Sequence, residues 1–300
     1  MELHQLRDFV AVASTGGFSL AAKKCRVAQS SLSKAILRLE VEIGEKLFVR
    51  AKRRCVLTPA GEVLYRRANR DMNEIEQPKR DLSDANGLRY GTVKIGVLPT
   101  ISPYFIPRVL AQFAQKFPSL CVDMLEDRTS DLLSRIDVGE LDFAIVSLPL
   151  SRNGLEKETL FKEELLLTVP SNHPLAVKDK VEMKDLETDR FILMREGHCL
   201  ADQVLSFCHK SNLHLKIDLE ASQIETLQSL VMAGLGITLV PQIARINGKV
   251  PLVYRSLENP KPTRTVTVVW RSGRQQTRAA AEFLAQLRQT TKAFVETLKL

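Results

Sequence analysis

Two cysteines nine positions apart carry the most pointed chemistry in this chain. They lie in Gly197-His198-Cys199-Leu200-Ala201-Asp202 and in Phe207-Cys208-His209. An apolar strand-like run, Phe191–Leu193, precedes Cys199, and a helical pattern runs across Leu200–Ser211, which predicts a thiol at a helix start. A helix N-terminus lowers a thiol pKa, and an adjacent histidine can exchange protons with the sulfur. The thiolate attacks a peroxide to give a sulfenic acid, and a second thiol condenses with that acid to a disulfide. Nine helical residues rise roughly 13.5 Å, whereas a disulfide needs its Cα atoms within about 7 Å. If one helix holds both cysteines, oxidation must unwind it. The plainer alternative is a pair of buried cysteines behaving as small apolar residues, and the spacing by itself favours that alternative. A thiol enzyme is poorly supported, because no third residue is placed to orient His198 or His209 as a base. Gly-x-Gly-x-x-Gly, phosphate-loop and His-Glu-x-x-His patterns do not occur.

A second set of residues could read nucleic acid. Gln29 could make two hydrogen bonds to adenine, and Ser30, Ser31 and Ser33 could serve phosphates or bases. Lys34 and Arg38 add charge, and a basic ribbon follows at Arg50, Lys52, Arg53 and Arg54. Residues 1–58 contain eleven Lys and Arg against five Asp and Glu, a surplus of +6 out of +8 for the whole chain. Such a surplus at one end suits a polyanion, double-stranded DNA above all.

The elements that must hold these residues follow from periodicity. Leu3, Leu6, Phe9, Val10 and Ala13 predict a first helix over 3–14, ended by Gly16-Gly17. Ser19 is placed to cap a second helix. Leu32, Ile36, Leu39 and Ile43 form the buried stripe of a third, stopped at Gly44. Phe48-Val49-Arg50 and Arg54-Cys55-Val56 read as two strands around a basic tip. The order is that of a winged helix-turn-helix. Thr58-Pro59 opens a further helix, whose interior Pro78 predicts an end or bend near Gln77 before a hinge at Asn86-Gly87.

Beyond Thr92 the pattern alternates strands and helices. Thr92–Val97, Leu120–Leu125 and Phe143–Val146 read as strands, with helices at Pro103–Phe117 and Thr129–Gly139. A second set follows: strands at Leu165–Val169, Leu215–Leu219, Ile237–Val240 and Val266–Trp270, a helix at Gln223–Ala233, and a last helix from about Arg274. This alternation predicts an α/β domain of two lobes on a parallel sheet, crossed twice by the chain. Ligands of such folds sit at the carboxyl ends of strands. Thr100 and Thr129 fall there, although helix capping is their plainer role on pattern alone. The length of 300 residues implies two or three domains. No bilayer-length apolar run, no signal-peptide pattern and an odd, scattered set of five cysteines predict a cytoplasmic protein without a structural metal or cofactor.

The residues Phe18, Ala21-Ala22, Val27–Ser33, Ile36, Leu39-Glu40, Gly44, Leu47–Arg50, Leu57-Thr58 and Ala60-Gly61 resemble the LysR-type transcriptional regulators. The resemblance extends through Gly96–Thr100, Pro103-Tyr104, Gly197–Leu200, Asp202-Gln203, Phe207-Cys208 and Ile224–Pro241 to the peroxide-responsive members of that family. It implies a winged helix-turn-helix over 1–58 and a linker and dimerisation helix with hinge over 59–87. It further implies a two-lobed, periplasmic-binding-protein-like regulatory domain over 88–300. Lobe I would take about 91–162 and 268–300, and lobe II about 163–267. By the same resemblance Cys199 is the peroxidatic thiol, Cys208 its resolving partner, and Thr100, Thr129, His198 and Asp202 bind hydrogen peroxide. A homodimer or homotetramer, and RNA polymerase as a further partner, are implied as well. Ala201 departs from the arginine often found at this point. The competing reading is a regulator of the same type that answers to a small organic anion between the lobes and ignores its thiols.

Overall fold

The computed structural model describes residues 1–50, 55–85, 91–178, 180–211, 213–258 and 260–298. These form two compact units, Met1–Gly87 with Arg135–Glu140, and Leu88–Ser134 with Leu141–Leu300.

The N-terminal unit begins with α1 (Leu3–Thr15), α2 (Phe18–Cys25) and α3 (Gln29–Ile43). Phe9, Val12, Ala21, Leu32 and Leu39 fill their common core. The small side chains of Ala21 and Ala22 let α2 sit close to its neighbours. Arg26 turns the chain between α2 and α3 in the left-handed region at φ 57°, and the Val27 amide donates to the Ala22 carbonyl at 3.0 Å. Ser19 does not cap α2. That helix starts two residues earlier, with Gly17 at its cap, and the Phe18 ring packs on Phe48 at 5.9 Å between centroids. Ile43 does not join the buried stripe either, being 38% exposed. Glu40 turns inward instead and is 7% exposed.

The reason lies in β1 (Phe48–Arg50) and β2 (Cys55–Leu57), an antiparallel pair with Val49 opposite Val56. The Glu40 carboxylate accepts from the Leu47 amide at 2.9 Å and from Lys46 Nζ at 2.9 Å. It ties the end of α3 to the start of the wing. Gly44 ends α3 at φ 80°, where a side chain would be strained. The next helix, α4 (Pro59–Ala85), starts as its sequence predicts: the Gly61 amide donates to Thr58 Oγ1 at 3.0 Å. It does not end near Gln77. Pro78 removes a single amide donor, and the helix runs on for 27 residues in all. The expected hinge at Asn86-Gly87 lies outside the described residues.

The second unit contains β3 (Gly91–Val97), α5 (Ser102–Lys116), β4 (Leu120–Glu126), α6 (Thr129–Asp137), β5 (Phe143–Ser147), β6 (Leu155–Pro170), β7 (Val181–Glu182) and β8 (Arg190–Met194). Then come α7 (Cys199–Lys210), β9 (Lys216–Ala221), α8 (Ile224–Met232), β10 (Thr238–Pro241), β11 (Leu252–Arg255), β12 (Leu257–Glu258), β13 (Thr263–Arg271) and α9 (Arg278–Leu298). The main sheet has the order β10-β6-β13-β5-β3-β4, and β11 also pairs with β6. It is mixed, not parallel. β3 runs parallel to β4 and β5, whereas β13 is antiparallel to β5 and β6. The cause is β6. Its 16 residues serve both lobes, pairing with β13 in the first part and with β10 and β11 in the last. Phe105, Phe113, Phe143 and Phe283 lie in the first lobe's core. Phe191, Val204, Leu227 and Cys208 belong to the second lobe's core.

Burial works to raise the Glu40 pKa, and the hydrogen bonds from Lys46, Leu47 and Phe48 outweigh it, leaving the carboxyl below its ordinary value. Its contribution is therefore present above the pKa of the unfolded chain and is lost as pH falls through the lower folded value. Replacing it strands the buried Leu47 amide, so Glu40→Ala should cost about 2 kcal/mol at pH 7. Urea unfolding followed by circular dichroism checks this. The deficit against the native chain should shrink in acid, and an unchanged midpoint at pH 7 would remove Glu40 as the strut of the wing.

Candidate thiol centre and DNA-reading face

α3 presents Gln29, Ser30, Ser31, Lys34 and Arg38 to solvent, whereas Ser33 is half-buried. The Ser19 hydroxyl donates to Gln29 Oε1 at 3.3 Å, which orients that amide at the start of the helix. Arg50 closes β1, and Lys52, Arg53 and Arg54 lie outside the described residues. An exposed helix face with amide, hydroxyl and cationic groups, followed by a strand pair, suits a major groove and its flanking phosphates.

The thiol centre is built from four segments of the second unit. Cys199 is the first residue of α7, with His198 at the N-cap. Thr129 is the first residue of α6. Thr100 lies in the turn after β3, and Arg264 lies near the start of β13. Neither threonine is a cap: Ile101 occupies that position for α5, and no hydrogen bond reaches Thr129 Oγ1 even though it is buried.

Arg264 organises this centre. Its side chain has 0% exposure, and Nε donates to Glu163 Oε1 at 2.8 Å. Its Nη1 donates to Thr100 Oγ1 and its Nη2 to the Thr100 carbonyl, both at 3.0 Å. Glu163 Oε2 accepts from the Ile243 amide at 2.9 Å. A buried charge pair survives only when such bonds satisfy both ends.

Cys199 is half-buried, and its pKa lies above the ordinary thiol value. Burial is the largest cause. The Arg264 charge, the Thr129 hydroxyl and the Leu200 amide pull the other way, and Asp202 adds to the rise. The Thr129 hydroxyl thus acts on the sulfur without completing a hydrogen bond of normal geometry, and it keeps bonding capacity to spare. Helix-start activation does not win here, contrary to the expectation from position alone: desolvation of the thiolate exceeds the help of the helix end. His198 is held below its ordinary pKa by burial, then by Arg128 and Arg195. It is neutral at pH 7, able to accept a proton but lending the thiol no charge.

Cys208 occupies the same helix and is 2% exposed. Burial pushes its pKa up to about 11. In this state it is a small apolar residue of the core, as the plainer reading of the sequence has it. The helix between the two thiols is unbroken, so roughly 13.5 Å of axial rise separates them. Among the described residues no cluster of His, Cys, Asp and Glu is suited to hold a metal, and no helix is long and apolar enough to cross a membrane.

Two family models match this chain: the bacterial regulatory helix-turn-helix protein of the lysR family over residues 3–62, and the LysR substrate binding domain over residues 86–292. The chain belongs to the LysR family. It is therefore a DNA-binding bacterial regulator with an α/β regulatory domain. A hydrogen peroxide-inducible genes activator from Pectobacterium carotovorum subsp. carotovorum is 33% identical over 99% of each chain. The structure of a full-length OxyR cysteine-to-aspartate variant from Pseudomonas aeruginosa is similar at a TM-score of 0.79, with 29% identity over 97% of this chain and 95% of that one. A hydrogen-peroxide-bound OxyR cysteine mutant from Corynebacterium glutamicum aligns at a TM-score of 0.62, with 31% identity over 99% and 94%.

Arg264 and Glu163 escape the motif-based reading of the sequence. A signal exists nonetheless, since Arg264 shares strand parity with Val266 and Val268 and so places a charge on an apolar face. Arg264→Met should destabilise the regulatory unit by about 3 kcal/mol by leaving Glu163 buried and unpaired, and adding Glu163→Gln should recover most of that loss. In the folded single variant, the pH midpoint for alkylation of Cys199 should move upward. An unmoved midpoint would show that the guanidinium does not act on the sulfur.

Proposed function

We propose that this LysR-family chain is a transcription factor that senses hydrogen peroxide by thiol oxidation and controls oxidative-stress genes in the cytoplasm. The observation that carries the reading is a half-buried thiol facing a fixed guanidinium and an unsatisfied hydroxyl, with a second thiol at the far end of its own helix. The names of its relatives point the same way. Residues 1–58 would read DNA through Gln29, Ser30, Ser31, Ser33, Lys34, Arg38 and the basic wing. Residues 59–87 would join two copies, and residues 88–300 would sense. The assembly would be a homodimer or homotetramer that addresses RNA polymerase at the promoter.

In this reading peroxide enters beside Cys199. The Thr129 hydroxyl bonds it, Arg264 held by Thr100 supplies the field, and neutral His198 and Asp202 complete the polar surround. The Cys199 sulfur attacks one peroxide oxygen and the O–O bond breaks. The other oxygen leaves as water with the thiol proton, and Cys199 becomes a sulfenic acid. Cys208 then attacks that sulfur, the S–S bond forms, and a second water departs. Because Cys208 is buried with a pKa of about 11, it stays unreactive until α7 opens. That orders the two steps. The rival reading, a small organic anion between the lobes, is weakened by Glu163, which already takes the charge of Arg264.

Brief peroxide treatment of the purified full chain, followed by peptide mapping and DNA footprinting, tests the proposal. A Cys199–Cys208 disulfide and a changed footprint are expected, and Cys199→Ser should be blind to peroxide. Both thiols remaining free while the footprint changes would exclude the mechanism. Retained peroxide response in Cys199→Ser would exclude it equally.

A further inference from the structure

Beside the thiol centre stand two cations that the peroxide chemistry does not use. Arg128 immediately precedes Thr129, and its guanidinium reaches the segment leading into α7. Its Nη1 lies 2.8 Å from the position a Cβ on Gly197 would take, and Gly197 adopts φ 88°. A side chain at 197 is disfavoured by the backbone conformation, whereas the flexible end of the arginine could shift aside. Arg195, three residues before His198, is exposed. Burial is the main cause of the lowered His198 pKa, and the charges of Arg128 and Arg195 lower it further. No ion pair among the described residues engages either one. The carboxylates nearest in the chain are Asp127, which accepts from the Arg128 amide, and the exposed Glu196 and Asp202. Arginine keeps its charge at every physiological pH.

Thr129, whose buried hydroxyl completes no hydrogen bond of normal geometry, directly follows Arg128 in the chain. A ligand that uses both would carry a polar reacting group at one end and an anion at the other. We propose that this cationic edge of the thiol centre recruits organic hydroperoxides bearing a carboxylate, and that Arg128, with Arg195, selects them over neutral ones. The inference rests on the peroxide-sensing reading and names a further substrate class for the same thiol. The carboxylate pairs with the guanidinium while the hydroperoxide reaches Cys199. The sulfur attacks the terminal oxygen and the O–O bond breaks. The alkoxide leaves with the thiol proton as an alcohol, and Cys199 becomes a sulfenic acid that Cys208 converts to the disulfide with loss of water. The thiols lose two electrons and the hydroperoxide gains them. Hydrogen peroxide, neutral and small, draws no advantage from the arginines.

The test measures the rate of Cys199 oxidation in the full-length protein with three oxidants: 4-hydroperoxy-4-methylpentanoate, its methyl ester, and hydrogen peroxide. The carboxylate should react about fivefold faster than the ester at low salt, and the advantage should fade as ionic strength rises. Arg128→Gln should abolish most of it, Arg128→Lys should restore part, and Arg195→Gln should reduce it. The hydrogen peroxide rate should stay within about twofold in all three, which reports that the Gly197 segment is still in place. Equal rates for carboxylate and ester in the native chain, or an advantage that survives Arg128→Gln with Arg195→Gln, would overturn the proposal. If hydrogen peroxide leaves Cys199 reduced while the carboxylate oxidises it, the anionic class stands and the hydrogen peroxide reading falls. If no oxidant touches Cys199, both fall.

Discussion

Arg264 carries a full positive charge with none of its side chain open to water. Removing a guanidinium from solvent costs several kcal/mol, and the surroundings must offset that cost. Glu163 supplies the counter-charge, and Thr100 accepts two hydrogen bonds through its hydroxyl and its carbonyl. These partners come from β6 and from the turn after β3, while Glu163 also holds the Ile243 amide beyond β10. One side chain therefore ties segments that are far apart in sequence. The pair contributes little net stability beyond what an apolar replacement would give. What it adds is a fixed field at Cys199.

That field does not make Cys199 a resting thiolate. Burial outweighs the guanidinium, the hydroxyl and the helix end together. Under the proposed reaction this balance would have a chemical use. A thiol that is neutral at rest is protected from indiscriminate alkylation, while the groups that favour its ionised form remain in place for an attacking geometry. His198 is consistent with this arrangement, because it is held neutral and stands at the helix cap. Cys208 lies further along the same scale, since burial alone sets its pKa near 11. The two sulfurs are thus unequal before any oxidant arrives, and the inequality comes from packing.

The parts of the molecule that follow from local periodicity were legible in the sequence. α1, α3 with its outward Gln29 and Arg38, the wing strands and the Thr58 cap all depend on short-range pattern. The exceptions have long-range causes. Glu40 displaces Ile43 from the buried stripe because the wing backbone needs an acceptor, and only the fold brings Leu47 to it. α4 continues past Pro78, as α5 accommodates Pro107 inside its own length. The parallel sheet fails because strand alternation says nothing about the direction of a 16-residue strand shared by two lobes. Within the site, the place of Cys199 at a helix start was readable, whereas position alone suggested only a capping role for Thr129. Arg264 and Glu163 were not, since 101 residues separate them and no motif links them. The strand parity of Arg264 is the trace they leave.

The helix between the thiols is held along its whole length. Leu200, Ala201 and Val204 are buried, and Cys208 sits in the same core. Gln203 donates to Ser147 Oγ and to the Leu148 carbonyl, each at 2.8 Å, and so pins α7 to the end of β5 in the other lobe. Full burial of a leucine or valine is worth about 1.5–3 kcal/mol, so opening this helix costs several kcal/mol before the glutamine bonds are counted. Thermal fluctuation then populates the open form only rarely. A covalent bond between residues 199 and 208 can hold it open, because the disulfide persists until it is reduced. The same opening would free Gln203 from the strand end. In the proposed reaction, chemistry at one sulfur would thereby be coupled to a contact between the lobes, working against the packing that holds the helix closed.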